Sequence, residues 1–295
     1  MPVIVKVNMT TKEITTAENP DYKLLGGRAL SARILLDEVP PNCEPLGAKN
    51  KLVIAPGLLA GTPVTSGSRV SCGAKSPLTN GIKEANCGGN IGLFLGRFGI
   101  KAVVLEGLPA DDNAYVLKID KDGSSLLVMN ELKQLGTYET DQKLRAKFGK
   151  EIGVFCIGPA GENRLKMAAI ASSDPNGELK FAARGGLGAV MGSKGVKAVV
   201  VDKTLRQPVY HDRQQFMDMV RLIHAEFIND PKIKQVNQKT GTATIVKAVN
   251  AMGALPTFNF RQGAIDGVEG LSGETMYATI TSRGGEGKAG VSCMN

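Results

Sequence analysis

Two stretches of this 295-residue chain spell one pattern. "LVIAPG" leads to "ANCGGNIGLFLGRFGIKAVVLEG", and further on "VFCIGPAG" leads to "AARGGLGAVMGSKGVKAVVVD". Each reads as a strand, a turn built from Gly and Pro, a Gly-Gly pair, a short apolar helix studded with glycine, and then Gly-(Ile/Val)-Lys-Ala-Val-Val. Two related supersecondary units are therefore expected to build one domain of roughly 200 residues. The chain as a whole exceeds ordinary single-domain size, so a second unit is expected beside it.

The flanking sequence supplies the other elements. Val3 to Val7 is a β-rich run, "NMTTKE" is turn chemistry, and Ile14 to Thr16 returns, which predicts an opening hairpin. "KLLGGRALSARILLDEV" places Leu30, Ile34 and Leu35 at helical spacing, entered through Gly26 and Gly27. "KLVIAPG" (Lys51 to Gly57) predicts a buried strand, and "AYVLKIDKDGSSLLVMN" (Ala114 to Asn130) a second hairpin with Asp-Gly at its turn. Polar "DKTLRQPVYHDRQQ" marks a boundary near residue 206. Beyond it "FMDMVRLIHAEFI" and "TATIVKAVNAMGAL" have helical periodicity, so residues 207–295 read as mainly α.

With 36 glycines, no Trp and only 5% aromatics, the chain is built from closely approaching backbone. A Gly-Gly pair at a helix start carries no Cβ, and the first helical N–H groups lack partners, a combination that suits anions. Two such ends, Gly88-Gly89 and Gly185-Gly186, are expected to face one polyanionic ligand. The alternative is that the glycines only permit tight helix-to-sheet packing. The formal charge of +8 is spread over dispersed Lys and Arg with no aromatic-interleaved basic stripe, which argues against nucleic acid. It suits an anionic cofactor or an acidic electron carrier.

Several function classes fail on their own motifs. "GLGAVMGSKG" has Gly192-Ser193-Lys194 where a phosphate-binding loop needs Gly-Lys-Ser/Thr. A dinucleotide fingerprint fails because Gly186, Gly188 and Gly192 have the wrong final gap and follow polar "SSDPNGELK" without an evident strand. The two histidines, His211 and His224, fall in the linker and first helix of the last third and read as surface residues. No nucleophile elbow accompanies any serine. Chemistry is therefore expected from a bound cofactor. Five cysteines (Cys43, Cys72, Cys87, Cys156, Cys293) at irregular spacing read as reduced thiols. With no signal peptide pattern and no apolar run of about 18 residues, the expectation is a cytoplasmic protein without membrane partners.

Read together, "GSRVSCGAKSPLTNGIKEANCGGNIG", "IGPAGENRLKMAAI", "AARGGLGAVMGSKGVKAVVV" and "GTATIVKAVNAMGALPTFNFRQG" resemble the aldehyde ferredoxin oxidoreductase family, tungsten or molybdenum enzymes that hold the metal between two pterin dithiolenes beside a [4Fe-4S] cluster. The resemblance covers nearly the whole chain. It implies an α+β fold: residues 1–206 as an N-terminal pterin-cofactor-binding domain of two β-sheets with flanking helices, and 207–295 as the beginning of a helical second domain. By resemblance, Asn86-Cys87-Gly88-Gly89 is the Asn-x-Gly-Gly pterin motif, with Asn86, Gly88 and Gly89 as contacts. Ala182, Ala183, Arg184 and Gly185 belong to the Arg-Gly-Gly motif, and Arg69 sits between pterin and cluster.

The cofactors so implied are tungstopterin or molybdopterin, two per metal, the [4Fe-4S] cluster, and a Mg2+ bridging the pterin phosphates. The implied partners are ferredoxin or another iron–sulfur carrier and a small aldehyde or carboxylate. A homodimer or a separately encoded C-terminal half are the assembly alternatives. Hydroxy or oxo acids and aromatic acyl-thioesters are the alternative substrates, and a non-catalytic pterin-binding module or a decayed remnant are the alternatives to an enzyme. Family members carry Cys-x-x-Cys-x-x-x-Cys near the end of this stretch, so Cys293 corresponds to the first cluster ligand. Because the other ligands do not follow within this sequence, the 295-residue chain by itself is expected to be inactive.

Overall fold

Val3–Asn8 (β1) and Glu13–Ala17 (β2) pair from Ile4↔Ala17 to Asn8↔Glu13, so the opening hairpin forms as expected. The computed structural model describes residues 3–174, 178–231 and 238–286. Contacts divide the chain into two compact units between Val209 and Tyr210. After the hairpin come α1 (Gly27–Glu38), β3 (Leu52–Pro56), β4 (Val70–Lys75), β5 (Ile82–Cys87), α2 (Ile91–Arg97) and β6 (Ile100–Glu106). There follow β7 (Tyr115–Asp120), β8 (Gly123–Val128), α3 (Thr137–Phe148), β9 (Ile152–Cys156), α4 (Pro159–Glu162), β10 (Ile170–Ser173), β11 (Leu179–Ala182), α5 (Leu187–Ser193) and β12 (Val196–Asp202). The β7–β8 loop is Lys121-Asp122, with Gly123 opening the return strand.

The duplication is wider than the sequence echo. One sheet has the order β2-β1-β6-β3-β4-β5, and the other, read from its far edge, β8-β7-β12-β9-β10-β11. Every strand of the second sheet thus occupies the place of its counterpart six strands earlier. In both sheets one pair is parallel, β1 with β6 and β7 with β12, and the rest are antiparallel. Each parallel pair carries a register shift at its first residues, skipping Lys101 in one sheet and Lys197 in the other.

A bulged residue leaves the ladder and re-aims its side chain. Lys101 Nζ donates to the carbonyls of Tyr22 and Lys23, each at 2.5 Å. Lys197 Nζ donates to Leu135 O at 2.8 Å and pairs with Glu162. The lysine of the Gly-x-Lys-Ala-Val-Val pattern therefore ties the turn that enters α1 in one copy and α3 in the other.

Alternation along the central strands sorts side chains into three cores. Val103 and Leu105 of β6 join Val199 and Val201 of β12 in a core shared by both sheets, which also takes Ile91, Phe94 and Leu95 from α2 and Val190 and Met191 from α5. Ala102 and Val104 face the other way, beneath Leu30, Ile34 and Leu35 of α1. Ala198 and Val200 do the same beneath Leu144 of α3. Strands buried on both faces read as continuous apolar runs, which is why Ala-Val-Val recurs.

The glycines within the two short helices have a packing cause. A Cβ on Gly92 would lie 2.0 Å from Ser68 O, and one on Gly96 2.3 Å from Ala60 O. In α5 the same two places meet Ala169 O at 2.3 Å and Gly161 O at 1.9 Å. Backbone from another segment crosses each helix directly, so any side chain collides.

The second unit is mainly helical. It contains α6 (Arg213–Asn229), capped by Asp212 accepting from the Gln215 amide, α7 (Gln238–Thr240), α8 (Val246–Ala251) and α9 (Gly273–Ser282), capped by Ser272 accepting from the Thr275 amide. No helix among the described residues is long and apolar enough to cross a membrane.

Candidate functional site

Strand β5 sends Ala85 and Cys87 into the shared core and leaves Asn86 exposed. Ser71 of β4 pairs with Asn86, and Arg69 lies just before β4. Arg69 Nε donates to Asn86 Oδ1 at 2.5 Å, and Asn86 Nδ2 donates to Ser71 Oγ at 3.2 Å. An amide offers two donors and two lone pairs, so Asn86 keeps one of each for a ligand, and Arg69 keeps both terminal nitrogens. The open side of Gly88 completes this patch. From the point where its Cβ would stand, Lys180 Cδ is 3.4 Å away, Arg69 Nη1 3.7 Å and Lys180 Nζ 3.9 Å.

Ala182, Ala183, Arg184 and Gly185 continue from β11, which brings Lys180 to this same patch. Ala182 is buried and pairs with Ile170, while Ala183 and Arg184 are exposed. Ser76 Oγ donates to Gly185 O at 2.8 Å, joining the two motifs' segments directly. Among the described residues, the side chains of Lys83, Lys180 and Arg184 form no hydrogen bond or ion pair. The face thus carries several cations whose charge the protein leaves uncompensated.

The glycines of the two pairs differ in what surrounds them. Helix α2 begins after Asn90, and a Cβ on Gly89 would lie 2.1 Å from Ser172 Oγ. On Gly186 it would lie 1.8 Å from Lys166 O, and on Gly185 2.2 Å from Lys83 Cγ. Close packing explains three of the four, and Gly88 alone has its side toward open cationic groups. A strand, β11, also precedes Gly185, where polar "SSDPNGELK" shows none by pattern. The dinucleotide reading still fails, because β10 and β9 stand between β11 and β12. So does the phosphate-loop reading: Lys194 is fully buried and donates to Gly47 O at 2.9 Å.

His211 and His224 are exposed, as expected. Cys293 lies outside the described residues, and among those described no three His, Cys, Asp or Glu converge to hold a metal. Burial pushes the Cys87 thiol up to about 12 although Arg69 and Lys180 pull it down. The same desolvation puts Cys156 at about 12 and Cys72 well above its ordinary value. These thiols are expected to resist iodoacetamide at about pH 8 in the folded protein and to react fully once it is unfolded. Peptide mass spectrometry checks this, and native labelling of Cys87 contradicts it.

Ser71 and Lys180 belong to the same patch, although neither stands in the Asn-x-Gly-Gly or Arg-Gly-Gly motif. A signal existed for the lysine: "IKEANCGG" and "LKFAARGG" carry Lys83 and Lys180 at the same place in the repeat.

A family model described as aldehyde ferredoxin oxidoreductase, N-terminal domain, matches residues 4–203, and one described as aldehyde ferredoxin oxidoreductase, domains 2 and 3, matches residues 218–294. The chain is 37% identical over 282 residues to the tungsten-containing aldehyde ferredoxin oxidoreductase of Thermococcus kodakarensis, covering 94% of this chain and 46% of that relative. It is 30% identical over 224 residues to the aliphatic sulfonate oxidoreductase, WOR-like subunit, of Pyrococcus furiosus, covering 71% and 35%. Among solved structures, the active site complex BamBC of benzoyl coenzyme A reductase in complex with 1,5-dienoyl-CoA superposes with a TM-score of 0.71 at 32% identity, covering 77% of this chain and 34% of that one. The chain therefore spans about half the length, 46%, of the tungsten-containing relatives it matches.

Proposed function

This chain belongs to the aldehyde ferredoxin oxidoreductase family, and from that membership we propose that it forms the cofactor-seating part of a tungsten or molybdenum oxidoreductase. The observation that carries the reading is the patch of Arg69, Asn86, Gly88 and Lys180. Its donor set fits a pterin with anionic substituents: unused guanidinium and ammonium donors, one amide edge, and a glycine that lets the ligand reach the backbone. When bound there, a tungsten or molybdenum pterin cofactor would supply two-electron chemistry at a carbonyl carbon, and an iron–sulfur cluster would supply one-electron transfer.

The protein's part is to bind and orient. The bond from Arg69 and the bond to Ser71 hold the Asn86 amide in one orientation, so its remaining donor and acceptor read one edge of the heterocycle. The Arg69 terminal nitrogens and the Lys180 ammonium meet negative charge together at the open side of Gly88. Ala183, Arg184 and Gly185 border the same face from the second repeat. Cys87 stays a protonated core thiol and ligates nothing, while Cys293 is assigned to the cluster. A Mg2+ bound with the cofactor would add to the charge balance that these cations begin.

The substrate reading is a small aldehyde oxidised with water to a carboxylate, electrons leaving to ferredoxin or a similar iron–sulfur carrier. The likeness to the benzoyl coenzyme A reductase complex favours a second reading, an aromatic acyl-thioester. Protein purified from a host supplied with tungstate and molybdate is expected to contain one of the two metals and about two pterins per metal. Arg69→Met is expected to lower both by roughly tenfold, the worth of a charge-assisted contact. Absence of both metals and of pterin from the wild type would falsify the reading; where loaded protein is obtained together with a C-terminal half, activity toward aldehydes or aryl thioesters separates the substrates.

A further inference from the structure

The two repeats exchange lysines. Lys180 of the second repeat reaches the open side of Gly88 in the first. Lys83 of the first lays its stem across Gly185 in the second, with Cγ 2.2 Å and Cδ 3.4 Å from where a Cβ would stand. The two occupy one register: Lys83 pairs with Ala74 of β4, and Lys180 with Ser172 of the equivalent strand β10. We propose that Lys83 is a further cofactor-binding residue, serving the half of the site built on the second repeat as Lys180 serves the first. This rests on the cofactor reading above and adds to it a residue that lies in neither motif.

Three observations point there. Lys83 is half-buried and its ammonium makes no hydrogen bond or ion pair among the described residues. Ordering a lysine costs side-chain entropy, and the protein offers its ammonium nothing in return. Its sequence neighbour Glu84 projects from the opposite face of β5, where it pairs with Arg28 at 3.2 Å, and offers Lys83 no partner. Finally, the second half lacks the polar triad of the first. Pairing Cys72↔Ala85 and Ile170↔Ala182 aligns the copies, and it sets Met167, Ala169 and Ala183 where Arg69, Ser71 and Asn86 stand. With three polar groups replaced by apolar ones, Lys83 and Arg184 remain as charged groups for an anionic arm.

The test uses wild-type protein and the variants Lys83→Gln and Lys83→Arg, each from a host supplied with tungstate and molybdate, with a second wild-type preparation from medium lacking both metals. Two readouts are taken: pterin retained per chain during dialysis, and acylation of individual lysines by an N-hydroxysuccinimide acetate, read by peptide mass spectrometry. Lys83 is expected to be labelled about tenfold more slowly in loaded than in unloaded protein, while exposed Lys121 is labelled equally. Lys83→Gln is expected to lose pterin roughly tenfold faster, with Lys83→Arg restoring retention and all variants melting like the wild type. Equal labelling of Lys83 in both preparations, or unchanged retention in Lys83→Gln, overturns the proposal and leaves the cofactor reading standing. A wild type that carries no pterin from replete medium overturns both.

Discussion

Gly192→Ala is expected to destabilise the first unit by about 3 kcal/mol, at the upper end for an overpacked interior site. The new methyl would lie 1.9 Å from the carbonyl oxygen of Gly161 and 2.6 Å from its carbon. Both are backbone atoms of α4, so no rotamer change relieves the contact, and α5 must move off the shared core that Val190 and Met191 fill. Gly81→Ala is the control. It sits in an exposed turn where the nearest atom, Thr79 Oγ1, is 3.9 Å away, and the expected change is within about 0.5 kcal/mol. Urea unfolding followed by circular dichroism measures both, and a Gly192→Ala protein as stable as Gly81→Ala would show that the α4–α5 approach is not tight.

Lys197→Met is the second large effect, again about 3 kcal/mol. The Lys197 side chain is 1% exposed and its partner Glu162 15%, so deleting the ammonium strands a carboxylate that burial disfavours. It also leaves Leu135 O without the donor that fixes the entry to α3. Glu162 accepts from the Gln134 amide at 2.8 Å as well, so the loss spreads through that turn. Adding Glu162→Gln to Lys197→Met is expected to restore part of the stability, because a neutral amide no longer needs the cation. Strictly additive losses in the double variant would mean that the pair contributes nothing as a pair. Lys101→Met, at the matching bulge, removes a donor to two carbonyls but strands no charge, and should cost less.

The lysine pair shows how far pattern carries. Gly-x-Lys-Ala-Val-Val stands out as a repeat because strands buried on both faces admit few residue types. That the lysine is the bulged residue in both copies follows only from the pairing with β1 and β7. The duplication of the hairpins and of α1 in α3 has no such echo. An edge strand such as Glu13–Ala17, mostly exposed, accepts nearly any β-former, and α3 presents Leu144 where α1 presents Leu30, Ile34 and Leu35. Topology persisted where packing constraint was too weak to hold sequence.

The sequence by itself determined the repeated unit, both hairpins, the buried strands, the helical second unit and the family motifs around Arg69, Asn86 and Arg184, because local periodicity and turn chemistry encode them. Only the tertiary structure decided what the glycines are for and which cations meet. Gly89, Gly185 and Gly186 are small because Ser172, Lys83 and Lys166 pass within touching distance of them, and Gly88 faces Lys180 because β11 carries that lysine to it. Apart from Gly186 and Lys166, which lie 20 positions apart, those contacts join residues 83 to 102 positions apart, and their distances depend on how the two sheets meet, a property of the packed whole that no local window of sequence contains.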